Sequence, residues 1–519
     1  MGDYTDFKGE AWWDDTNPIF LIDFYKFGHV DQYPKGIKKI WVNFTPRSTR
    51  VEGETGVIFF GLQRFIKRVL IQQFNDYFFD REWVDVEREY KKVMKATLGV
   101  DARVDHIKQL FDHGSLPLDI YAVPEGTYVP LGVPAMVIVN NQDWAFWLPN
   151  YIETMCSNSL WHACTSASTA LRYRRLFKKH AKAAGETDLS FIDWQGHDFS
   201  YRGLSGFDSA VLSGMGHLLS FNGTDTLPAI LDAKKYYHAN LSCGGSVPAT
   251  EHSVMCAGSK ESERETFRRL IEDVYPNGIV SIVSDTWDLW KVLTEIIPSL
   301  KDSILARDGK VVIRPDSGDP VKILTGDDNA VPYSPEWHGA AHLLSAALGY
   351  TRAAYTTNFL KMINKAGLIY GDSITVDRAD QILTRAAKKE FHPYNFVFGI
   401  GSYTYQYVTR DTYNFAFKAT AIERWIITDE NGTGYECVPR VEAIFKDPVT
   451  DNAHKKSHRG IPVAVFNPER DDQIEVVETL DPRLLDGFEC DTVFKKVFNG
   501  ALLLDDTFDA IRQRVRGQA

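Results

Sequence analysis

Carboxylates and arginines sit just after short apolar runs at six places in this 519-residue chain, and that placement could do chemistry. The runs with their polar ends are LSFIDWQGHDFSYRG from Leu189, HLLSFNGTDT from His217, GIVSIVSDTWD from Gly278, KVVIRPDSGDP from Lys310, GLIYGDS from Gly367 and FVFGIGS from Phe396. Together they supply His197, Asp198, Arg202, Asp225, Asp285, Arg314, Asp316 and Asp372. A planar guanidinium grips phosphate in bidentate fashion and a carboxylate can hold two adjacent hydroxyls, so the mixture suits a ligand that carries both. His252, in ATEHS, follows Glu251 directly, and an imidazole between carboxylates can serve as a base or a nucleophile. Taken singly, each cluster could be turn chemistry, since Gly, Asp and Ser dominate turns. Six in register, with arginines among them, favour a site.

Those clusters require a scaffold that brings distant residues together. An apolar run, a polar cluster and then an amphipathic helix-like stretch, repeated along the middle of the chain, is the pattern of a β/α barrel, whose strand ends all open on one face. The flanks read differently. Strand-like pieces such as KKIWVNF, AMVIV, RWIIT and ECVPRVEAIF accompany helical pieces such as Arg81 to Thr97. The expected fold is α/β: a barrel-like catalytic domain over 151–410, with a mixed α+β domain assembled from 1–150 and 411–519. The segment from Leu324 to Trp337 is polar and contains proline, so it is expected to be a loop insertion.

Composition narrows the function classes. Hydrophobic residues at 44% and charged residues at 24% fit a folded, soluble chain, and no run of roughly 18 apolar residues could span a bilayer. The N-terminus has acidic residues where a signal peptide needs basic ones. Six cysteines (Cys156, Cys164, Cys243, Cys256, Cys437, Cys490) are scattered without a CxxC pair, which a reducing compartment tolerates, so a cytoplasmic location is expected. No resident metal site is read from the sequence. The net charge of −11 gives no general field for a polyanion, so an anionic substrate must be held by local basic clusters. The basic KKSHRG segment at Lys455 is too short to argue for nucleic acid, and neither nucleic acid nor a membrane is an expected partner.

An ordered set of strings from about Phe20 to about Asp509 resembles the nicotinamide phosphoribosyltransferase family. They are IDFYKFGHVDQYP, FFGLQ, AVPEG, NYIET, HDFSYRG, GTDT, SVPATEHS, VSDTWD, IRPDSGDP, GD at Gly371, TRD at Thr409 and FKDPV at Phe445. The resemblance implies a homodimer with shared active sites, in which nicotinamide lies between Phe199 and Tyr25 of the other subunit. Asp225 would accept a hydrogen bond from the carboxamide, although an aspartate there could merely cap the following helix. Arg202, Arg314 and Asp316 would surround the pyridine, ribose and phosphate; Ser246 and Ser281 would form the pocket wall; Gly371 and Asp372 would lie beside the ribose. Asp23, Arg47, Arg410 and Lys418 would serve the ribose and diphosphate from the partner side, with Gly401 and Ser402 at the 5-phosphate. His252 would take a phosphoryl group from ATP, with Glu251 and Asp285 orienting its ring. Implied cofactors are Mg²⁺ and ATP.

The chain departs from that pattern at one place. The family's run of three glycines after the last barrel strand reads GIGSYTYQYVTRD here, so Ser402 and Tyr403 replace two of them, and Ala416 replaces a serine. The donor is then phosphoribosyl pyrophosphate, with Ser402 supplying a hydroxyl, or ADP-ribose 1-pyrophosphate, with Tyr403, Tyr405, Tyr407 and Tyr413 available to stack a base. Tyr403, Tyr405 and Tyr407 alternate at period two, as one buried face of a strand would. A non-catalytic binding protein of the same fold is a further alternative, opposed by the intact charged set.

Overall fold

The apolar runs at Gly278, Lys310, Gly367 and Phe396 form strands of a parallel sheet, because β-branched and aromatic residues pack well where both faces are buried. The runs at Leu189 and His217 are instead helical, over Ser190–Trp194 and at the end of Phe207–Leu218, and only the short polar pieces after them join the sheet. In the computed structural model the strands are β1 (Gly196–Asp198), β2 (Gly223–Thr224), β3 (Gly278–Val283), β4 (Gly309–Arg314), β5 (Ala366–Tyr370) and β6 (Phe396–Ile400), in the order β2-β1-β6-β5-β4-β3. Every pairing is parallel. Neither edge is left open. Gly245 bridges Gly223 of β2 and Ala249 bridges Ser281 of β3, both parallel. Thr224 N–H donates to Gly245 O at 2.9 Å and Thr250 N–H to Ser281 O at 3.0 Å. Residues 245–250 therefore form an irregular seventh stave, and the ring runs in chain order with its strand ends on one face.

The structure describes residues 16–99, 101–353, 359–428, 436–448, 457–467 and 469–519. The first 15 residues of the N-terminal stretch considered for a signal peptide, and Lys455 and Lys456 of the basic segment, lie outside them. Two units emerge, residues 166–409 with 512–519 and residues 1–165 with 410–511, and one division falls inside the long helix Glu153–Ala183.

In the barrel unit, Phe177 stacks on Phe398 of β6 with centroids 5.1 Å apart and tilts against Phe221 at 5.7 Å. Flanking helices start where the sequence supplies caps: Asp319 for Pro320–Thr325 and Thr375 for Val376–Lys388. The segment read as a loop insertion is partly folded. Thr325 closes one helix, Pro335–His338 forms another capped by Ser334, and Arg385 donates to Thr325 Oγ1 and Asp328 Oδ2, each at 3.0 Å. Its polar residues are caps and an arginine's partners, which composition alone does not distinguish from loop.

The other unit has an antiparallel six-stranded sheet assembled from both chain ends: Glu436–Ala443, Phe415–Thr428, Ile37–Pro46, Met136–Asn140, Leu118–Ala122 and Lys495–Phe498, in that order. Phe44 stacks on Phe415 at 5.1 Å and packs against Phe417 at 4.9 Å. No helix among the described residues is long and apolar enough to cross a membrane.

Candidate active site

At the end of β1, strand alternation sends His197 and Asp198 to opposite sides. Asp198 is fully buried and accepts from Ser200 N at 2.9 Å, Ser200 Oγ at 2.6 Å and Thr226 Oγ1 at 2.7 Å. Its carboxylate is used up in tying β1 to the turn after β2, so this candidate is architectural. His197 instead meets Asp225: Nε2 lies 3.0 Å from Asp225 Oδ1, and Ser246 Oγ donates to the same oxygen at 2.6 Å. Oδ2 has no partner among the described residues, and the helix Leu227–Tyr237 is not capped by this side chain. Burial pushes the Asp225 carboxyl up, but the His197 hydrogen bond and charge, the Ser246 hydroxyl and Arg314 together hold it below its ordinary range.

Phe199 follows, with its ring 4.8 Å from the His197 ring and the Arg314 guanidinium 5.9 Å from its centroid. Glycines leave room for it. A Cβ on Gly399 would come 2.4 Å from the Phe199 ring, and one on Gly371 would come 2.9 Å from Asp316 Oδ1 and 3.1 Å from that ring. Burial raises the Asp316 carboxyl, as do the neighbouring Asp285 and Asp372, against the pull of Arg314 and His252. Asp285 is almost wholly buried, its Oδ2 accepting from Asp316 N at 2.9 Å and Ser317 Oγ at 2.5 Å. Its Oδ1 is 3.4 Å from His252 Nε2 and makes no hydrogen bond. Glu251 does not orient His252: its carboxylate accepts from Ser253 Oγ, a residue one step further along the helix His252–Ala257. Ser281 is buried with its backbone closing the barrel, and Arg202 is exposed, without an ion-pair partner among the described residues.

After β6, Gly401 precedes a helical turn, Ser402–Tyr405. Ser402 packs on Gly203, where a Cβ would come 2.2 Å from its Oγ. The tyrosines are not a strand face. Tyr405 is buried with its hydroxyl 2.7 Å from His217 Nδ1, while Tyr403 and Tyr407 point outward and stack in parallel at 5.7 Å. On a helical turn residues four apart share a face and residues two apart do not, which reverses the period-two reading.

The remaining candidates lie in the antiparallel unit. Tyr25 is exposed and its hydroxyl donates to Asp23 Oδ2 at 3.3 Å; Thr154 Oγ1 donates to the same oxygen at 2.6 Å. Arg47 Nη2 donates to Asn414 Oδ1 at 2.8 Å. Burial, and then the positive charges of Arg47, Lys446 and Arg410, lower the Lys418 ammonium against the pull of Glu153, so these four cations form one basic cluster.

Comparison with known proteins places this arrangement. A family model described as the nicotinate phosphoribosyltransferase (NAPRTase) family matches residues 194–480, and one described as nicotinamide phosphoribosyltransferase, N-terminal domain, matches residues 17–120. A nicotinamide phosphoribosyltransferase from Acinetobacter baylyi is 47% identical over 516 residues, which is 97% of either chain. Another, from Xanthomonas campestris pv. campestris, is 31% identical over 86% of either chain. The chain belongs to the nicotinamide phosphoribosyltransferase family.

As a member it is a pentosyltransferase. Two solved structures share the fold at low identity. Nicotinate-nucleotide pyrophosphorylase from Pyrococcus furiosus has a TM-score of 0.55 at 12% identity, covering 98% of this chain and 97% of that one. Human nicotinic acid phosphoribosyltransferase has a TM-score of 0.51 at 13% identity, covering 95% and 92%. In this phosphoribosyltransferase, sequence reasoning missed Gly399 and Lys446. A glycine inside the strand pattern FVFGIGS signalled the first, since it marks a close approach, and the FKDPV string carried the second.

Proposed function

We propose that the enzyme joins nicotinamide to the ribose 5-phosphate of phosphoribosyl pyrophosphate, releasing pyrophosphate and making nicotinamide mononucleotide for NAD salvage. The observation that carries the acceptor is Asp225, an ionised carboxylate with one oxygen taken by His197 and Ser246 and the other free, bound to a histidine whose ring lies 4.8 Å from that of Phe199. The carboxamide NH₂ has a hydrogen to donate to Oδ2. Nicotinate has none, and would set its own carboxylate against that of Asp225.

Phe199 supplies one face of a stacking slot for the pyridine ring, and Tyr25 of the second copy in a homodimer supplies the other. Arg314 and Asp316 hold the ribose, with Gly371 allowing its backbone close to the sugar and Arg202 reaching the phosphate. The cluster of Arg47, Arg410 and Lys418, with Lys446, grips the diphosphate. Nicotinamide N1 then attacks ribose C1 as the bond from C1 to the pyrophosphate oxygen breaks, through an oxocarbenium-like state stabilised by positioning and by these charges. Among the described residues no group of three or more His, Cys, Asp or Glu could hold a metal. Mg²⁺ arriving with the diphosphate would be held beside the cluster of Arg47, Arg410 and Lys418 and would supply further charge neutralisation for the leaving group. His252 would accept a phosphoryl group from ATP, a reading supported by the buried Asp285 carboxylate 3.4 Å from its Nε2.

The test is a product assay by mass spectrometry with Mg²⁺ and nicotinamide, offering phosphoribosyl pyrophosphate and ADP-ribose 1-pyrophosphate separately. Nicotinamide mononucleotide from the first donor is expected; NAD formed only from the second would overturn the donor assignment. Asp225→Ala should lower the preference for nicotinamide over nicotinate by about a hundredfold or more.

A further inference from the structure

We infer that His197 is a positioning residue that sets the choice between amide and acid acceptors through its hold on Asp225. The inference rests on the acceptor reading above. Of the two donors to Asp225 Oδ1, Ser246 is an exposed hydroxyl that can rotate, whereas His197 is buried, with only 10% of its side chain exposed. Its ring is held from two sides. Phe199 lies 4.8 Å away at an angle of 54°, and on the other edge Gly223 comes so close that a Cβ there would be 2.8 Å from His197 Nδ1.

Gly223 is itself fixed. It pairs with His197 across β1 and β2, and its carbonyl accepts from His217 Nε2 at 3.0 Å, while His217 Nδ1 accepts from the Tyr405 hydroxyl at 2.7 Å. With the Phe199 ring on one side and the Gly223 backbone fixed on the other, the buried His197 ring has little freedom and presents Nε2 to Asp225 Oδ1 at 3.0 Å. That geometry has a chemical consequence. With Oδ1 saturated by two donors, Asp225 presents one oxygen, ionised and in a fixed direction, and such an oxygen accepts a hydrogen but offers none. Without His197 the carboxylate is free to rotate and is less strongly held in its charged form; a neutral carboxyl can donate to the acid acceptor.

The experiment measures kcat and KM for nicotinamide and for nicotinate in the full-length enzyme and in His197→Ala, His197→Leu and His197→Gln, with melting curves for each. Glutamine keeps an N–H donor, while leucine fills the space without one. The ratio of the two kcat/KM values comes from one enzyme sample, so any loss of folded protein cancels from it. In His197→Ala and His197→Leu the amide-over-acid ratio should fall about tenfold or more, mainly through KM for nicotinamide, and His197→Gln should recover most of it. A ratio unchanged in both donor-less variants, or one that glutamine and leucine leave equal, overturns the inference. Wild-type enzyme that shows no preference for nicotinamide would instead overturn the acceptor reading itself.

Discussion

At the scale of single residues, the site is defined by which polar atoms are already occupied. Asp198, with three close donors, has nothing left for a ligand, whereas Asp225 keeps one oxygen free and Asp285 keeps its Oδ1 buried without a hydrogen bond, 3.4 Å from His252 Nε2. A buried carboxylate oxygen without a donor is costly, and a small turn of the His252 ring would satisfy it. If His252 takes a phosphoryl group from ATP, Asp285 would hold one ring nitrogen while the other attacks. Incubation with γ-labelled ATP should then leave acid-labile label on the wild-type protein and none on His252→Gln, with about tenfold less on Asp285→Asn. Label retained by His252→Gln would place the phosphoryl group elsewhere.

At the scale of elements, the link from the turn Ser402–Tyr405 through His217, on the helix Phe207–Leu218, to Gly223 of β2 is made of buried polar groups. Burial lowers the His217 pKa to about 4, so it stays neutral in the fold. In the unfolded chain it titrates near 6.5, so between these values the unfolded state binds the extra proton. Stability from this group is therefore complete above pH 6.5 and declines as pH falls toward 4, by about 1.4 kcal/mol per unit and about 3 kcal/mol in all. Melting temperatures at pH 7 and pH 5 should drop further in the wild type than in His217→Gln, by a few degrees. Equal drops would mean that His217 is already accommodated when protonated.

At the scale of the molecule, the net charge of −11 gives no general field to draw in an anion, and Arg47, Arg410, Lys418 and Lys446 form a local basic cluster in the antiparallel unit, where the proposed donor would be held. The proposed homodimer makes a strong demand on that arrangement: Tyr25 of one copy must serve the Asp225 of the other. Tyr25→Ala and Asp225→Ala proteins, each impaired alone, should on dissociation and random reassociation recover up to about a quarter of wild-type activity, because half the dimers are mixed and each holds one intact site. No recovery in mixed dimers shown to have formed would mean that each chain uses its own Tyr25.

The barrel-like class, the polar residues at the strand ends and the family were legible in the sequence, because turn chemistry and short motifs are local properties, while the apolar runs at Leu189 and His217 proved helical, with the strands formed by the short pieces after them. The sheet built from both chain ends was legible for the same reason, as strand-like runs on either flank. The fate of each polar group was not. Asp198 and Asp225 look alike in the strings HDFSYRG and GTDT, yet one is saturated by Ser200 and Thr226 and the other keeps an oxygen free. Glu251 looked like a partner for His252 and bonds to Ser253; Tyr405 looked like its neighbours Tyr403 and Tyr407 and is buried against His217. The stave at 245–250 carries no strand signal and exists because both sheet edges need partners. These outcomes depend on neighbours brought in from other strands and helices, so the tertiary structure alone decided them.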